Sequence, residues 1–308
     1  MNTVTVSAPG KLMLFGEHAV VYNRPCLVTA VSARIKVTIE RTAGGFKISA
    51  PQVKDVRFVE ETVRLFQKKF KIGNGLAIQT KGDFSCQYGF GSSSAVTVAT
   101  LKGLSQLFEI PLSKKEIFDL GYQVTLTVQG LGSGFDIAAA TYGGILYFVT
   151  GGKKIEPLKV ESLPLVVGYS GKKADTPSIV KNLKLKMKNE KRQIKIKKIF
   201  NKIAETVELA REKIENGNWP EVGVLMNQNQ KLLQELGVNT PKLDKMCQAA
   251  VKSGAWGAKL SGAGGGDCMI TLVTNDKRKA VEEAIKAVGG KVIRVKTCAE
   301  GVRDESNG

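Results

Sequence analysis

Histidine and paired cysteines are scarce in this sequence. The 308 residues include one histidine, His18, which excludes a metal site built from several histidines and leaves one candidate for any histidine-based triad. The five cysteines form no CxxC pair, and their number is odd. Together with the lack of a recognisable signal peptide, this pattern predicts reduced thiols and a cytoplasmic protein.

Long apolar runs and acidic residues are also in short supply. The longest uncharged stretches, residues 84–101 and 137–152, are rich in Gly, Ser and Thr, whereas a membrane span needs about 18 or more apolar residues. We therefore expect no membrane partner. Lys and Arg number 46 against 28 Asp and Glu, a net charge of +18. This excess favours anionic partners such as nucleotides, phosphorylated metabolites or nucleic acid.

A Walker A motif, GxxxxGK[ST], is absent, but another glycine-rich segment is typical of phosphate binding. Gly89 and Gly91 precede Ser92, Ser93 and Ser94, which open a run of helical periodicity. A helix N-terminus offers free N–H groups to phosphate, and serine hydroxyls add a hydrogen bond or a magnesium ligand. A serine-capped helix after a glycine turn explains these residues equally well.

Two further segments invite a functional interpretation. Residues 262–266 contain four glycines between two predicted strands, which favours close backbone approach to a ligand, with a simple hinge as the alternative. Near the N-terminus, Lys11 follows Pro-Gly and His18 lies in the stretch GEHAVVY. Taken alone, such a lysine is usually a solvated turn residue and such a histidine is usually structural.

In the order in which they occur along the chain, the three segments resemble the motifs of the GHMP kinase superfamily. The first stretch, SAPGKLMLFGEHAVVYNRP, is most similar to the mevalonate kinase family. Two other stretches, GSGFDIAAATYGG around Asp136 and GAGGGDC around Asp267, look more like the phosphomevalonate kinases of the same superfamily. The resemblance extends over nearly the whole chain.

The resemblance implies an α+β, two-domain GHMP kinase fold. An N-terminal S5-like α/β domain would span residues 1–163, a C-terminal ferredoxin-like domain would span 164–308, and the site would lie in the cleft between them. The residue patterns themselves predict β-α-α-α-β-β-α-β around an antiparallel sheet in the second half. They also predict a helix capped by Thr176 and a closing strand at 291–296.

The resemblance also implies a reaction, the transfer of the ATP γ-phosphoryl group to the primary hydroxyl of mevalonate, in isoprenoid precursor biosynthesis. The alternative acceptor is 5-phosphomevalonate. The implied catalytic residues are Asp136, as the base, and Lys11 beside it. ATP phosphates would be bound by Gly89, Gly91, Ser92, Ser93 and Ser94, with Ser93 on Mg²⁺. The acceptor side would comprise Glu17, His18 (through the substrate carboxylate), Ser261, Gly262, Ala263, Gly264 and Thr176.

One position departs from the family pattern. Mevalonate kinases usually carry a magnesium-binding Glu eleven residues before the catalytic Asp, and Thr125 stands there in this chain. A neutral hydroxyl is a weaker ligand for a hard cation than a carboxylate. We therefore expect Mg²⁺ to be held by Ser93, the phosphates and water, or by a substitute carboxylate, for which Asp136 is the nearest candidate.

A basic run lies outside all of these motifs. Between Lys181 and Lys202 there are ten Lys or Arg residues and one acid, Glu190. The run is typical of a solvated helix face, and a nucleic-acid surface is the alternative of a different functional class. No aromatic residue occurs in the run before Phe200, although base stacking is expected of single-strand binders. Nucleic acid is therefore not the expected partner, and the chain is expected to be a monomer or homodimer.

Overall fold

Two β-sheets covered by helices make up the part of the chain that the computed structural model describes, residues 2–52, 55–73 and 75–305. The strands are β1 (Thr3–Phe15), β2 (Pro25–Arg41), β3 (Phe46–Ser49), β4 (Leu76–Gly82), β5 (Ile145–Val149), β6 (Lys154–Leu158), β7 (Leu165–Tyr169), β8 (Gly257–Ser261), β9 (Cys268–Leu272), β10 (Lys291–Ile293) and β11 (Arg303–Asp304). The α-helices are α1 (Arg57–Phe70), α2 (Ser92–Leu107), α3 (Lys114–Gln129), α4 (Phe135–Tyr142), α5 (Thr176–Lys186), α6 (Glu190–Glu215), α7 (Trp219–Leu236), α8 (Pro241–Lys252) and α9 (Asn275–Ala287).

The first sheet is organised around the long strands β1 and β2. Its order is β11-β1-β2-β4-β3, with β5 on β2 and β6 on β5, and only the β3–β4 pairing among these is parallel. The helices α2 and α4 pack on β1 and β2. Helix α3 begins with the predicted capping box, in which Ser113 and Glu116 satisfy each other's backbone N–H groups.

The second sheet has the order β10-β7-β9-β8, and its pairings are all antiparallel, as predicted. One hydrophobic cluster runs from the first sheet into the second unit, where Val207, Val222 and Ile270 belong to it. The α+β class is therefore confirmed. Since this core is continuous, the two halves pack as neighbours along the cleft that carries the predicted site.

Two local expectations need correction, and one helix is not predicted. Asp175, rather than Thr176, caps α5. Its side chain accepts a hydrogen bond from Ser178 N, and Thr176 is the first residue of the helix. The strand predicted at 291–296 ends at Ile293, and residues 297–305 return to the first sheet, where β11 pairs with β1. The sequence patterns do not predict helix α4, which carries Asp136. The domain boundary at 163/164 stays a prediction.

Candidate active site

Lys11 and Asp136 meet in the cleft. Lys11 lies on β1, and its Nζ is 3.4 Å from Oδ1 of Asp136, in the first turn of α4. The ammonium also donates to the carbonyl of Gly89 at 3.1 Å. The Lys11 side chain is 9% exposed and that of Asp136 is 34% exposed, so a buried cation stands beside a solvent-accessible carboxylate. This arrangement places a fixed positive charge beside the carboxylate and leaves the carboxylate open to a reacting hydroxyl.

The segment from Gly89 to Ser94 forms the N-terminus of α2, beside this pair. Gly91 has φ +71°, and a methyl group there would lie 3.2 Å from Lys11 Cε and 3.7 Å from Asp136 Cγ. Glycine therefore allows both the left-handed turn and the close approach of the loop. The backbone is fixed to β1, since Lys11 N donates to Phe90 O at 2.9 Å. The free N–H groups of α2 consequently lie next to a lysine, as an anion-binding site requires.

A cavity of about 1030 Å³ adjoins the start of α2. Ser92 and Ser93 lie on its wall, together with Phe58, Phe84 and Lys173. The cavity therefore combines apolar and aromatic surface with hydroxyl and ammonium groups. That combination suits a nucleotide, whose base packs on apolar side chains while its phosphates face the helix N-terminus.

The glycine-rich segment 262–266 lies against the same loop through Asp267. A methyl group on Gly89 would lie 2.5 Å from Oδ2 of Asp267, so the Asp267 side chain packs directly against the Gly89 backbone. Oδ1 of Asp267 accepts from Ala174 N at 2.8 Å, and Asp267 N donates to Lys172 O at 2.7 Å. Burial raises the pKa of the Asp267 carboxyl above its ordinary value. The hydrogen bond from Ala174 N and the charges of Lys11 and Lys173 oppose this rise without cancelling it. Asp267 thus connects the segment around Gly89 with the loop 170–174.

Comparison with known proteins agrees with this geometry. The model of the GHMP kinases N terminal domain matches residues 57–144, and that of the GHMP kinases C terminal matches residues 210–291. A mevalonate kinase of Thermococcus sibiricus is 35% identical, and the alignment covers 98% of both chains. The chain belongs to the GHMP kinase family.

Solved structures of this family share the fold over almost the whole chain. The L. major mevalonate kinase in complex with R-mevalonate is 27% identical with a TM-score of 0.82, and 96% of each chain is covered. A phosphomevalonate kinase of Streptococcus pneumoniae has the same TM-score at 21% identity and covers 96% of this chain and all of its own. The second likeness shows the fold alone, and the GHMP kinase fold predicted from the motifs is confirmed.

Two acceptor-side residues of this kinase are more enclosed than expected. His18 is 7% exposed, and its Nε2 lies 2.8 Å from the carbonyl of Ala263, which can only accept a hydrogen bond. Burial lowers the pKa of His18, so the neutral ring donates from Nε2 and keeps no second N–H. Direct binding of a substrate carboxylate by His18 does not fit this arrangement.

Glu17 is fully buried and has no exposed surface. One carboxylate oxygen is in a short contact with Lys259 Nζ, and the other accepts from Asn229 Nδ2 at 2.9 Å. Burial raises the pKa of Glu17 and lowers that of Lys259, while their mutual attraction opposes both shifts. Glu17 therefore shapes the site from behind, rather than by touching substrate.

The other acceptor-side residues differ in exposure. The Ser261 hydroxyl donates to Met13 O at 2.9 Å, so it connects β8 with β1 and keeps only its acceptor lone pairs for another partner, and its substrate role stays a prediction. Gly262 faces open space, and Gly264 and Ala263 continue the loop beside it. Thr176 is exposed in the first turn of α5. A substrate role for Gly262, Ala263, Gly264 and Thr176 stays a prediction.

The oxygen ligands available for a metal are few. Thr125 is buried, and its hydroxyl donates to Gly121 O at 3.0 Å within α3, so it does not replace the missing Glu. Within the described ranges, no group of three or more His, Cys, Asp or Glu side chains converges. Asp136 Oδ1 is buried and accepts no hydrogen bond from the described residues, although it is paired with Lys11. The carboxylate therefore has unused acceptor capacity.

The basic run forms the end of α5 and the first half of α6. All ten of its cationic side chains are exposed, and none is in an ion pair within the described part of the chain. Phe200 is 2% exposed and stacks on Tyr22 at 4.7 Å between ring centroids. The run therefore presents charge without an exposed aromatic ring, as expected of a solvated face. Among the described helices, none is both long and apolar enough to span a bilayer.

Proposed function

We propose that this GHMP kinase transfers the γ-phosphoryl group of ATP to the primary hydroxyl of mevalonate and forms 5-phosphomevalonate. The observation that carries the proposal is the Lys11–Asp136 pair beside the N-terminus of α2. The 35% identical relative, which is a mevalonate kinase matched over 98% of this chain, supports the choice of acceptor.

Asp136 accepts the proton of the acceptor hydroxyl. Its carboxylate is one-third exposed, and the Lys11 ammonium lies 3.4 Å away. Lys11 in turn neutralises charge on the transferred group, as a fixed cation does in phosphoryl transfer. The N–H groups that open α2 at Ser92, Ser93 and Ser94 hold the phosphates, and Gly262–Gly266 closes the opposite side.

Magnesium fits the oxygen donors that this site offers. The Ser93 hydroxyl lies on the cavity wall, and Asp136 Oδ1 has unused acceptor capacity. Both are hard oxygen ligands of the kind that Mg²⁺ takes together with phosphate oxygens and water. When bound, the cation would neutralise the β- and γ-phosphates. We therefore assign Ser93 and Asp136 as its protein ligands.

The acceptor carboxylate needs a cation other than His18. Lys172 and Lys173 lie in the loop 170–174, which Asp267 holds against the segment around Gly89, and both are exposed. We assign them to the anionic end of the acceptor. The same pair would also suit the phosphate of 5-phosphomevalonate, so the acceptor is decided by experiment. Cytoplasmic location and a monomeric or dimeric state belong to the same proposal.

The decisive experiment measures ADP release from ATP with (R)-mevalonate and 5-phosphomevalonate as parallel acceptors at equal concentrations. The proposal predicts rapid release with mevalonate and only background release with 5-phosphomevalonate. Preference for 5-phosphomevalonate would identify the protein as a phosphomevalonate kinase, the second candidate, which the motifs around Asp136 and Asp267 favour. No stimulation by either acceptor would reject both assignments.

A further inference from the structure

A fully buried ion pair connects the two halves of the molecule behind the cleft. Glu17 follows β1 in the first half, Lys259 lies on β8 in the second, and both side chains are 0% exposed. Asn229 of α7 donates to the other carboxylate oxygen of Glu17, and Lys259 also donates to Leu260 O at 2.6 Å. We call Glu17, Asn229 and Lys259 the interdomain clamp. Among the ion pairs between described residues, it is the only one without solvent exposure.

Stability alone is a weak explanation for such a pair. Both ions lose their hydration on burial, and well-packed apolar residues of similar volume are often as stabilising as a buried ion pair or more so. An ion pair differs from apolar packing in being directional, because each hydrogen bond requires one relative placement of its partners. A buried ion pair between two structural units is therefore suited to fixing their relative position and orientation.

The residues on either side of the clamp contact the site. His18, next to Glu17, is the centre of a γ-turn in which Ala19 N donates to Glu17 O, and its φ of +59° is unusual for a non-glycine residue. The turn aims the His18 ring at Ala263 O, inside the glycine-rich segment. Ser261, two residues after Lys259, donates to Met13 O, and Met13 lies two residues after Lys11. The clamp is thus flanked by two hydrogen bonds, from His18 to Ala263 O and from Ser261 to Met13 O, and each joins the β1 side of the cleft to the glycine-rich side.

We infer that Lys259 is a positioning residue for phosphoryl transfer, which acts through Glu17 to hold the segment Gly262–Gly266 in register with Lys11 and Asp136. Lys259 does not touch the reacting groups, since its side chain is entirely enclosed. Its effect on rate arises from placement, and misplacement by about 1 Å can cost about 100-fold in rate. The inference rests on the proposed function.

The test separates placement from stability by a double variant. Lys259→Met alone leaves Glu17 buried and unpaired, so the fold is expected to be strongly destabilised. Glu17→Gln with Lys259→Met removes both charges and keeps Asn229 as a hydrogen-bond partner for the new amide, so thermal stability is expected to return towards that of the unmodified protein. We expect kcat of this double variant to stay about 10- to 100-fold low with the KM for ATP changed by less than about threefold.

Two further variants keep the test decisive. Ile285→Ala opens a cavity in the core of the second unit, at a residue outside the clamp, and is expected to lower the melting temperature without changing kcat. Asn229→Ala keeps both charges and removes one hydrogen bond, so it should fold and lose kcat by a few-fold. A double variant with restored stability and unchanged kcat and KM would overturn the inference, as would an Ile285→Ala enzyme with an equal loss of kcat.

Hydrogen–deuterium exchange provides a readout that does not depend on the acceptor. The inference predicts faster exchange of the amides at 261–267 in the double variant, with no change at 92–96 in α2. Unchanged exchange at 261–267 would contradict it even in an enzyme that is active on mevalonate. Conversely, faster exchange in a protein that phosphorylates neither acceptor would leave the clamp in place and reject only the proposed function.

Discussion

The Nζ atom of Lys11 lies 3.4 Å from Oδ1 of Asp136, and a methyl group on Gly91, at the start of α2, would lie 3.2 Å from Lys11 Cε and 3.7 Å from Asp136 Cγ. Three elements distant in sequence, namely β1, α2 and α4, therefore deliver a cation, an anion-binding helix end and a carboxylate to one place. Such a constellation fits the proposed phosphoryl transfer, which depends on positioning and charge neutralisation more than on covalent chemistry.

Removal of the site lysine should impair chemistry more than folding. We expect Lys11→Met to lower kcat with mevalonate by about 10²- to 10³-fold, because the fixed cation beside the transferred group is lost. Steady-state ADP release measures the effect. Lys115→Met is the matched control, since Lys115 is exposed and paired with Asp119 on the outer surface of α3. Equal activity of the two variants would remove Lys11 from the mechanism.

Magnesium dependence should distinguish Ser93 from Thr125. Ser93→Ala removes one oxygen ligand, so the Mg²⁺ concentration for half-maximal activity should rise several-fold. Thr125→Ala should leave it unchanged, because that hydroxyl already donates to Gly121 O inside α3. Titration of activity with Mg²⁺ at fixed ATP measures both. A higher Mg²⁺ requirement in Thr125→Ala alone would show that Thr125 is the metal ligand at the family's usual position, and it would contradict our assignment of Ser93.

The single histidine should give stability a specific pH dependence. Burial lowers the pKa of folded His18 below its ordinary value near 6.5, so the unfolded chain binds the proton more readily. Folded stability from this group is therefore present above about pH 6.5 and is lost as pH falls towards the folded pKa, by at most about 1.4 kcal/mol per pH unit.

Urea unfolding between pH 7.5 and 5.5 compares the native chain with His18→Asn. Asparagine tolerates positive φ and does not titrate, so the variant's stability has no contribution from a group that takes up a proton in this range. The free energy of unfolding of the native chain should fall more steeply on acidification than that of the variant. Parallel curves would show that His18 is not held in its neutral form.

The basic surface on α5 and α6 should be dispensable for the kinase reaction. Lys191, Lys195 and Lys198 are exposed and have no ion-pair partner among the described residues. Their combined replacement by Gln should change kcat/KM by less than about twofold, because physiological salt screens the charge of exposed side chains. Salt-sensitive nucleic-acid binding that this triple variant loses would instead support the alternative function of the basic run.

Local patterns predict much of the fold. The capping box at Ser113, the alternation along β1 and the helical run after Ser92 are all encoded within a few residues, and all are confirmed. Helix α4 escapes prediction because FDIAAATY is short and almost wholly apolar, so it lacks an amphipathic period. The pairing of β11 with β1 depends on contacts between the two ends of the chain, which no local pattern reveals.

The site is predicted through motif resemblance rather than through spacing. Resemblance identifies Lys11 and Asp136 and names Glu17 and His18, but it does not show that these last two face inwards. The partner of Glu17, Lys259, is visible in the sequence only as the residue that opens a glycine-rich run. Its role depends on the packing of the two halves, which follows from the tertiary structure alone.

The most direct test of the account is a ³¹P NMR measurement of the reaction of ATP with (R)-mevalonate. The unmodified enzyme should produce ADP and a new phosphate monoester on the primary carbon in equal amounts, and Asp136→Asn should lower the rate by about 10²- to 10⁴-fold while ATP still binds. Asp119→Asn, on the outer surface, serves as the control. Undiminished turnover in Asp136→Asn, or ADP formed without the monoester, would contradict the account.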